Sequence, residues 1–222
     1  MKRSIKSYST VIFDCDGVVL DSNAVKTRAF YETAVEFGRD AAEQLVDYHK
    51  ANGGVSRFKK FEYFLANIAH NSNHLPPLDE LVDTYAKMVK KGLLESRVEP
   101  NLDAVKRATP GSIWLIVSGG AQDELRWVFR EKRIDGLFEG GIFGSPDSKE
   151  EILEREIDLG NVVGPALFIG DSKYDYLAAK KYDIDFVFVK QWTEFSGWSE
   201  FCCSNDILVC EELSDILRLD FE

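Results

Sequence analysis

The sequence has few cysteines and no long apolar run. Its cysteines, Cys15, Cys202, Cys203 and Cys210, contain no CxxC pair, so they do not favour a zinc site or a disulfide framework. We expect free thiols in a reducing cytoplasm, with Cys15 packed in the core. No apolar run approaches the roughly 20 residues that cross a bilayer. No apolar h-region follows the basic N-terminus, so we expect no signal peptide.

Basic side chains are also scarce relative to acidic ones. There are 27 lysines and arginines against 38 aspartates and glutamates, giving a formal net charge of −11. A protein that binds nucleic acid would show a basic stripe, and an anionic membrane surface also attracts basic segments. We therefore expect neither nucleic acid nor a membrane as partner. A local positive site could still bind a small anionic substrate.

Short apolar runs of strand type occur four times, at residues 10–13, 113–117, 166–169 and 186–189. Helical patterns lie between the later runs. Strands that alternate with helices predict an α/β fold with a parallel sheet and helices on both faces. Ligands bind beyond the carboxyl ends of the strands in such sheets, and polar residues follow the first three runs there.

Residues 22–99 differ, because they contain helical patterns and no convincing strand. We expect a helical domain over 22–99, inserted into a core domain formed by residues 1–21 and 100–222. Ser22 is suited to cap the first inserted helix. Three histidines in this region, His49, His70 and His74, lack metal-ligand spacing, and we expect them on the surface or in loops.

Carboxylates gather at two of the strand ends. Asp14 and Asp16 are separated by one residue, so on an extended strand they would point to the same side. Two converging buried carboxylates repel each other unless a cation lies between them, and Mg²⁺ prefers such oxygen ligands. Asp171 follows another strand, and Asp175 would lie one helical turn further on the same face.

Groups that bind anions gather at the remaining strand ends. We expect Ser118 and the amides of Gly119 and Gly120 to open a helix, where free N–H groups bind anions. Lys149 adds a full positive charge. Phosphoryl transfer needs this mixture: cations and amides neutralise the phosphate, a carboxylate attacks phosphorus, and a second carboxylate moves the proton.

These motifs resemble those of the haloacid dehalogenase superfamily in order and spacing, across essentially the whole chain. Residues 14–22, DCDGVVLDS, resemble its first motif, and residues 118–120, SGG, its second. Lys149 resembles the third motif and residues 170–175, GDSKYD, the fourth. The insert resembles the C1 cap of the phosphoglycolate phosphatase and β-phosphoglucomutase branch. The resemblance implies a Rossmann-like core with an inserted α-helical C1 cap.

The resemblance also implies roles for the aspartates. Asp14 would be the nucleophile and a Mg²⁺ ligand. Asp16 would be the general acid and base, with its backbone carbonyl on the metal. Asp171 would be a direct metal ligand, and Asp175 either a ligand or a carboxylate behind the ligands. Dehalogenases of this superfamily lack the second aspartate, so we do not expect dehalogenase activity.

The remaining implied roles concern the substrate. Ser118, Gly119 and Lys149 would bind the phosphoryl group. In C1-capped relatives a glycine-bearing cap loop contacts the leaving group, and Arg57 could supply positive charge there. An alternative is that Arg57 merely begins a solvated basic helix. The aromatic segment 192–198 either packs over the sheet edge, which we favour, or forms an exposed surface for a partner.

We therefore expect a Mg²⁺-dependent phosphatase acting on a small phosphate monoester, either a sugar phosphate or an organic-acid phosphate, through a phosphorylated Asp14. One alternative is a phosphomutase of the β-phosphoglucomutase type, which the motifs do not distinguish. A second is a catalytically silent binding protein on the same scaffold. The oligomeric state is not predicted from the sequence.

Overall fold

The computed structural model describes residues 4–70 and 75–221. It has a parallel sheet of six strands in the order β3-β2-β1-β4-β5-β6. The strands are β1 (Thr10–Phe13), β2 (Ile113–Ala121), β3 (Gly141–Ser145), β4 (Ala166–Gly170), β5 (Asp185–Val189) and β6 (Leu208–Cys210). The predicted α/β fold with a parallel sheet is confirmed.

The α-helices of the described residues occur between and after these strands. They are α1 (Asn23–Ala34), α2 (Arg39–Ala51), α3 (Arg57–Tyr63), α4 (Leu78–Glu95), α5 (Leu102–Ala108), α6 (Gln122–Glu131), α7 (Lys149–Asp158), α8 (Lys173–Lys181) and α9 (Trp198–Ser204). Helix α3 continues as a π-helical turn over Phe64–Ile68. A 3₁₀ segment, Leu213–Arg218, stands where the sequence predicts a last short helix.

Apolar side chains of each central strand alternate between two layers. Val11 and Phe13 of β1 belong to a core shared with α5, α6 and the insert. Ile12 belongs to a second core, formed with α7 and α8. Because successive residues of a strand face opposite sides, the sheet is buried on both faces. Ligand-binding residues of such a sheet are therefore expected at the ends of its strands.

The described part of residues 22–99, called the insert below, consists of helices α1 to α4, with one isolated bridge between Leu20 and Val98 at its base. Phe30 of α1 is its central aromatic residue. The ring lies 4.4 Å from that of Tyr85 and 5.2 Å from that of Phe61, measured between centroids. Four helices therefore share one apolar centre above the carboxyl ends of the strands.

All four cysteines are free, as predicted, and Cys15 is buried in the core. Within residues 4–70 and 75–221, no helix combines the length and apolarity of a membrane span.

Candidate active site

Asp14 and Asp16 lie in a turn after β1 rather than on the strand itself. The strand ends at Phe13, and the amides of Val19 and Leu20 both donate to the carbonyl of Cys15. The expectation that Asp14 and Asp16 point to the same side of an extended strand is therefore wrong. Even so, both aspartates line one pocket between the insert and the sheet.

The turn depends on a glycine. Gly17 has a φ of +82°, a conformation that L side chains rarely adopt, and a Cβ there would lie 2.1 Å from Asp171 Oδ2. Glycine is free to adopt this conformation without a Cβ penalty. The absence of a side chain at position 17 thus lets the carboxylate of Asp171 approach the first turn.

Asp16 is held by the first helix of the insert. Its Oδ1 accepts a hydrogen bond of 2.6 Å from Ser22 Oγ, and its Oδ2 is paired with Lys26 Nζ. Burial raises the pKa of Asp16, but the opposing effect of Lys26 and Ser22 is larger, so the pKa lies below its ordinary value. Ser22 stands at the N-cap position of α1 as predicted, yet its side chain caps no helical N–H, and its hydroxyl donates to Asp16.

Three buried carboxylates converge beside Asp16. Oxygens of Asp14, Asp171 and Asp175 lie within 4.8 Å of one another. Burial raises the pKa of Asp14 to about 7, against the opposing effect of Lys149. Burial also raises the pKa of Asp171 well above its ordinary value, and repulsion from Asp14 and Asp175 adds to this. The cluster is therefore strained electrostatically and suited to a cation.

Lys149 supplies one positive charge to this cluster. It is the first residue of α7, as predicted, and it is 1% exposed. Its Nζ donates to Asp14 Oδ1 at 2.7 Å and also to Asp175 Oδ1. These partners raise the lysine's pKa despite its burial. The ammonium thus stays charged next to the carboxylate that would attack phosphorus.

Asp175 is engaged by protein donors on both oxygens. It is the third residue of α8 and forms a capping box with Ser172. Its Oδ2 accepts from the amides of Asp171 and Ser172 and from Ser172 Oγ, while its Oδ1 accepts from Lys149. Of the two roles predicted for Asp175, this arrangement favours a carboxylate behind the ligands.

The expected helix start at Ser118 is wrong. Strand β2 continues to Ala121, and α6 begins only at Gln122. Ser118 is fully buried, and its Oγ accepts a hydrogen bond of 3.1 Å from the amide of Gly120. Gly119 and Gly120 line the pocket, so the anion-binding amides would belong to an extended strand end.

Arg57 reaches the pocket but is already paired. Its guanidinium donates through two nitrogens to Glu124 of α6 and lies 4.6 Å from the ring centroid of Tyr85. It is 4% exposed, so the alternative of a solvated helix start is wrong. The contact of Arg57 with substrate stays a prediction. The insert loop before it, at Gly53, Gly54 and Val55, also lines the pocket.

Sequence reasoning missed several pocket residues on the insert. Lys26, His49 and Lys60 line the pocket. His49 is buried rather than on the surface, because α2 turns it towards Phe30, 4.5 Å away between ring centroids. His70 is exposed as predicted, and His74 lies outside the described residues. Helical spacing alone does not show which of several cationic positions faces an adjoining domain.

The loop after β5 was missed as well. Thr193 Oγ1 donates to the carbonyl of Asp171 at 2.7 Å, and Asn23 Nδ2 donates both to Asp171 Oδ2 and to the carbonyl of Trp192. Residues 193–195 line the pocket. Trp198 packs on Phe188 at the sheet, 6.2 Å between centroids, as favoured from the sequence. The position of this loop at a strand's carboxyl end was the available signal.

Three solved structures illustrate what the chain resembles. A predicted phosphatase from Clostridium acetobutylicum has a TM-score of 0.75 and 19% identity, covering 95% of this chain and 97% of that one. A predicted phosphoglycolate phosphatase from Haemophilus somnus has a TM-score of 0.72 and 17% identity, with coverages of 95% and 97%. A haloacid dehalogenase-like family protein from Streptococcus pneumoniae has a TM-score of 0.68 and 18% identity, also with coverages of 95% and 97%.

At these identities the structures show a shared fold. No curated protein matches the sequence. The model of a protein family, described as haloacid dehalogenase-like hydrolase, matches residues 8–183. This match spans most of the chain and includes all four motif regions. The chain therefore belongs to the haloacid dehalogenase-like hydrolase family.

Proposed function

We propose that the protein is a Mg²⁺-dependent phosphatase that hydrolyses a small-molecule phosphate monoester through an aspartyl-phosphate on Asp14. The observation that carries this proposal is the contact of Asp14 with Lys149 inside a buried carboxylate cluster. A nucleophilic carboxylate needs a cationic surrounding to approach an anionic phosphate. The phosphatase names of two similar structures also support it.

The carboxylate cluster fits a magnesium ion. Its donors are oxygens, which Mg²⁺ prefers, and burial and mutual repulsion raise the pKa of both Asp14 and Asp171. Asp14 and Asp171 would hold the ion, together with the backbone carbonyl of Asp16, and Asp175 would orient Lys149 and the start of α8. When bound, the ion would neutralise phosphoryl charge.

The proposed reaction has two transfers. In the first, a carboxylate oxygen of Asp14 bonds to phosphorus, the ester P–O bond breaks, and the leaving oxygen takes, through Asp16, a proton of the Asp16–Lys26 pair. In the second, Asp16 takes a proton from water as the water oxygen bonds to phosphorus. The bond between phosphorus and Asp14 then breaks, and inorganic phosphate leaves.

The phosphoryl oxygens would be bound at the ends of β2 and α7. Lys149 would supply a charge and Gly119 an amide, while Ser118 Oγ would orient the end of β2 through the amide of Gly120. The closed insert would exclude bulk water during the first transfer. The substrate would be a sugar phosphate or an organic-acid phosphate, because only a small leaving group suits so enclosed a site.

The test is phosphate release from a panel of sugar, nucleotide and organic-acid phosphates. We expect release with Mg²⁺, none with EDTA, and a loss of about 10⁴-fold or more in Asp14→Asn, as for other removed nucleophiles. Asp103→Asn, an exposed aspartate on α5, is the matched control and should retain activity.

Other outcomes would point elsewhere. Isomer formation without net phosphate release would support the phosphomutase. Binding without turnover of any ester, in folded metal-loaded protein, would support the silent binding protein. Equal activity of Asp14→Asn and the unchanged protein would exclude the aspartyl-phosphate route.

A further inference from the structure

The insert places one buried cation in the pocket without a carboxylate partner. Lys60 of α3 is 2% exposed and lines the pocket. Its Nζ lies 2.7 Å from His49 Nδ1 and 5.5 Å from the ring centroid of Phe30. Among the described residues, no carboxylate lies within ion-pair distance of this amine. A buried charge without a counter-charge is unfavourable, and an anionic ligand in the pocket would supply the missing counter-charge.

The other buried cations that line the pocket from the insert are already paired. Lys26 is paired with Asp16, and Arg57 with Glu124. Lys50 and Glu194 also line the pocket, and the carboxylate of Glu194 accepts a hydrogen bond from Thr27. Of the buried cations that line the pocket from the described part of the insert, Lys60 is therefore the one whose charge is available to a ligand.

The geometry of Lys60 leaves donors free. A protonated lysine has three N–H donors. His49 Nδ1 accepts one of them, so the neutral histidine carries its proton on Nε2. Burial and the nearby lysines hold the pKa of His49 well below its ordinary value. The remaining N–H groups of Lys60 can serve a carboxylate, which accepts two hydrogen bonds readily.

We infer that Lys60, positioned by His49, binds a carboxylate on the leaving group, so that the preferred substrate is a short phosphorylated hydroxycarboxylic acid. This inference rests on the proposed phosphatase function and selects the organic-acid phosphate over the sugar phosphate. The free volume of the pocket is about 50 Å³. A water molecule needs roughly 10–15 Å³ on such a measure, so only a short leaving group fits while the insert stays closed.

The first experiment compares two esters with carbon chains of equal length, using Mg²⁺-loaded protein. 2-Phosphoglycolate carries the carboxylate, and 2-hydroxyethyl phosphate has an alcohol in its place. We expect kcat/KM to favour the acid by at least about tenfold, the size of one charge-assisted hydrogen bond. Lys60→Met should remove this preference by lowering kcat/KM for the acid alone. Lys59→Met, an exposed lysine beside it, should retain the preference.

A second experiment separates this inference from the phosphatase reaction. Asp14→Asn and Asp14→Asn/Lys60→Met are titrated with the same two compounds by calorimetry, which needs no turnover. Tighter binding of 2-phosphoglycolate that is lost with Lys60 supports the subsite even if no ester is hydrolysed. Equal binding of the two compounds, or a Lys60→Met effect of equal size on both, would overturn it. Failure of hydrolysis with all esters would overturn the proposed function instead.

Discussion

At the scale of single residues, Lys60 should lower the stability of the protein without ligand. Burial lowers its pKa to about 7, with the charge of Lys26 as the next cause. We expect Lys60→Met to raise the free energy of unfolding by about 1 to 4 kcal/mol at neutral pH and below, the range seen when buried ions are replaced by apolar side chains. Urea denaturation measures this, and Lys59→Met should change stability by less than about 0.5 kcal/mol.

The stability difference between Lys60→Met and the unchanged protein should depend on pH with a definite sign. The pKa of Lys60 is about 7 in the folded protein and 10.5 as the ordinary value. Between these values the unfolded chain binds more protons, so the folded state gains stability as pH rises. The advantage of Lys60→Met should be largest below pH 7 and should shrink towards pH 10.5. A stability advantage of Lys60→Met that grows with pH would contradict a buried, charged amine at position 60.

The residues that the sequence identified well are those at strand ends. Asp14 and Asp171 follow short apolar runs that predict neighbouring strands, and these strands pair side by side. Lys26, His49 and Lys60 lie on insert helices, and their approach depends on how one domain sits on the other. Nothing in the local spacing of a helix encodes that placement, because it is decided by packing between elements distant in sequence.

At the scale of elements, the end of β2 and the insert loop are in close contact. A Cβ on Gly119 would lie 2.0 Å from the carbonyl oxygen of Gly54. Gly119→Ala should therefore push the loop away from the pocket and lower kcat/KM by about 10²-fold, as expected for a misplacement of roughly 1 Å. Gly111→Ala, where a Cβ meets nothing within 4 Å, is the control. Equal activity of both variants would mean that the loop does not take part in turnover.

The elements that the sequence did not predict have weak patterns for physical reasons. β3 contains Gly141 and Gly144 and only two apolar residues, and β6 has three residues at the sheet edge. Their place in the sheet comes from pairing with β2 and β5, not from their own propensity. The extension of β2 to Ala121 was hidden because the two glycines of the second motif are typical of a turn.

At the scale of the whole molecule, ion pairs join the insert to the sheet domain, and one of them links two helices. Arg57 of α3 and Glu124 of α6 are both largely buried, with side chains 4% and 12% exposed. Glu124→Gln would leave the guanidinium without its counter-charge, which costs about 3–5 kcal/mol for a buried pair. We expect a lower melting temperature and faster proteolysis between insert and core. Glu95→Gln, in an exposed pair with Lys91, should change little.

The hydroxyl of Ser22 also has a consequence for engineering. It donates to Asp16, and no side-chain cap bond forms at α1, so the helix lacks the stabilisation of about 1 kcal/mol that a capping side chain would provide. A directed-evolution screen for heat resistance alone would reward replacements that restore the cap. Such replacements would release Asp16 from its donor, so selection for robustness at this position would run against selection for turnover.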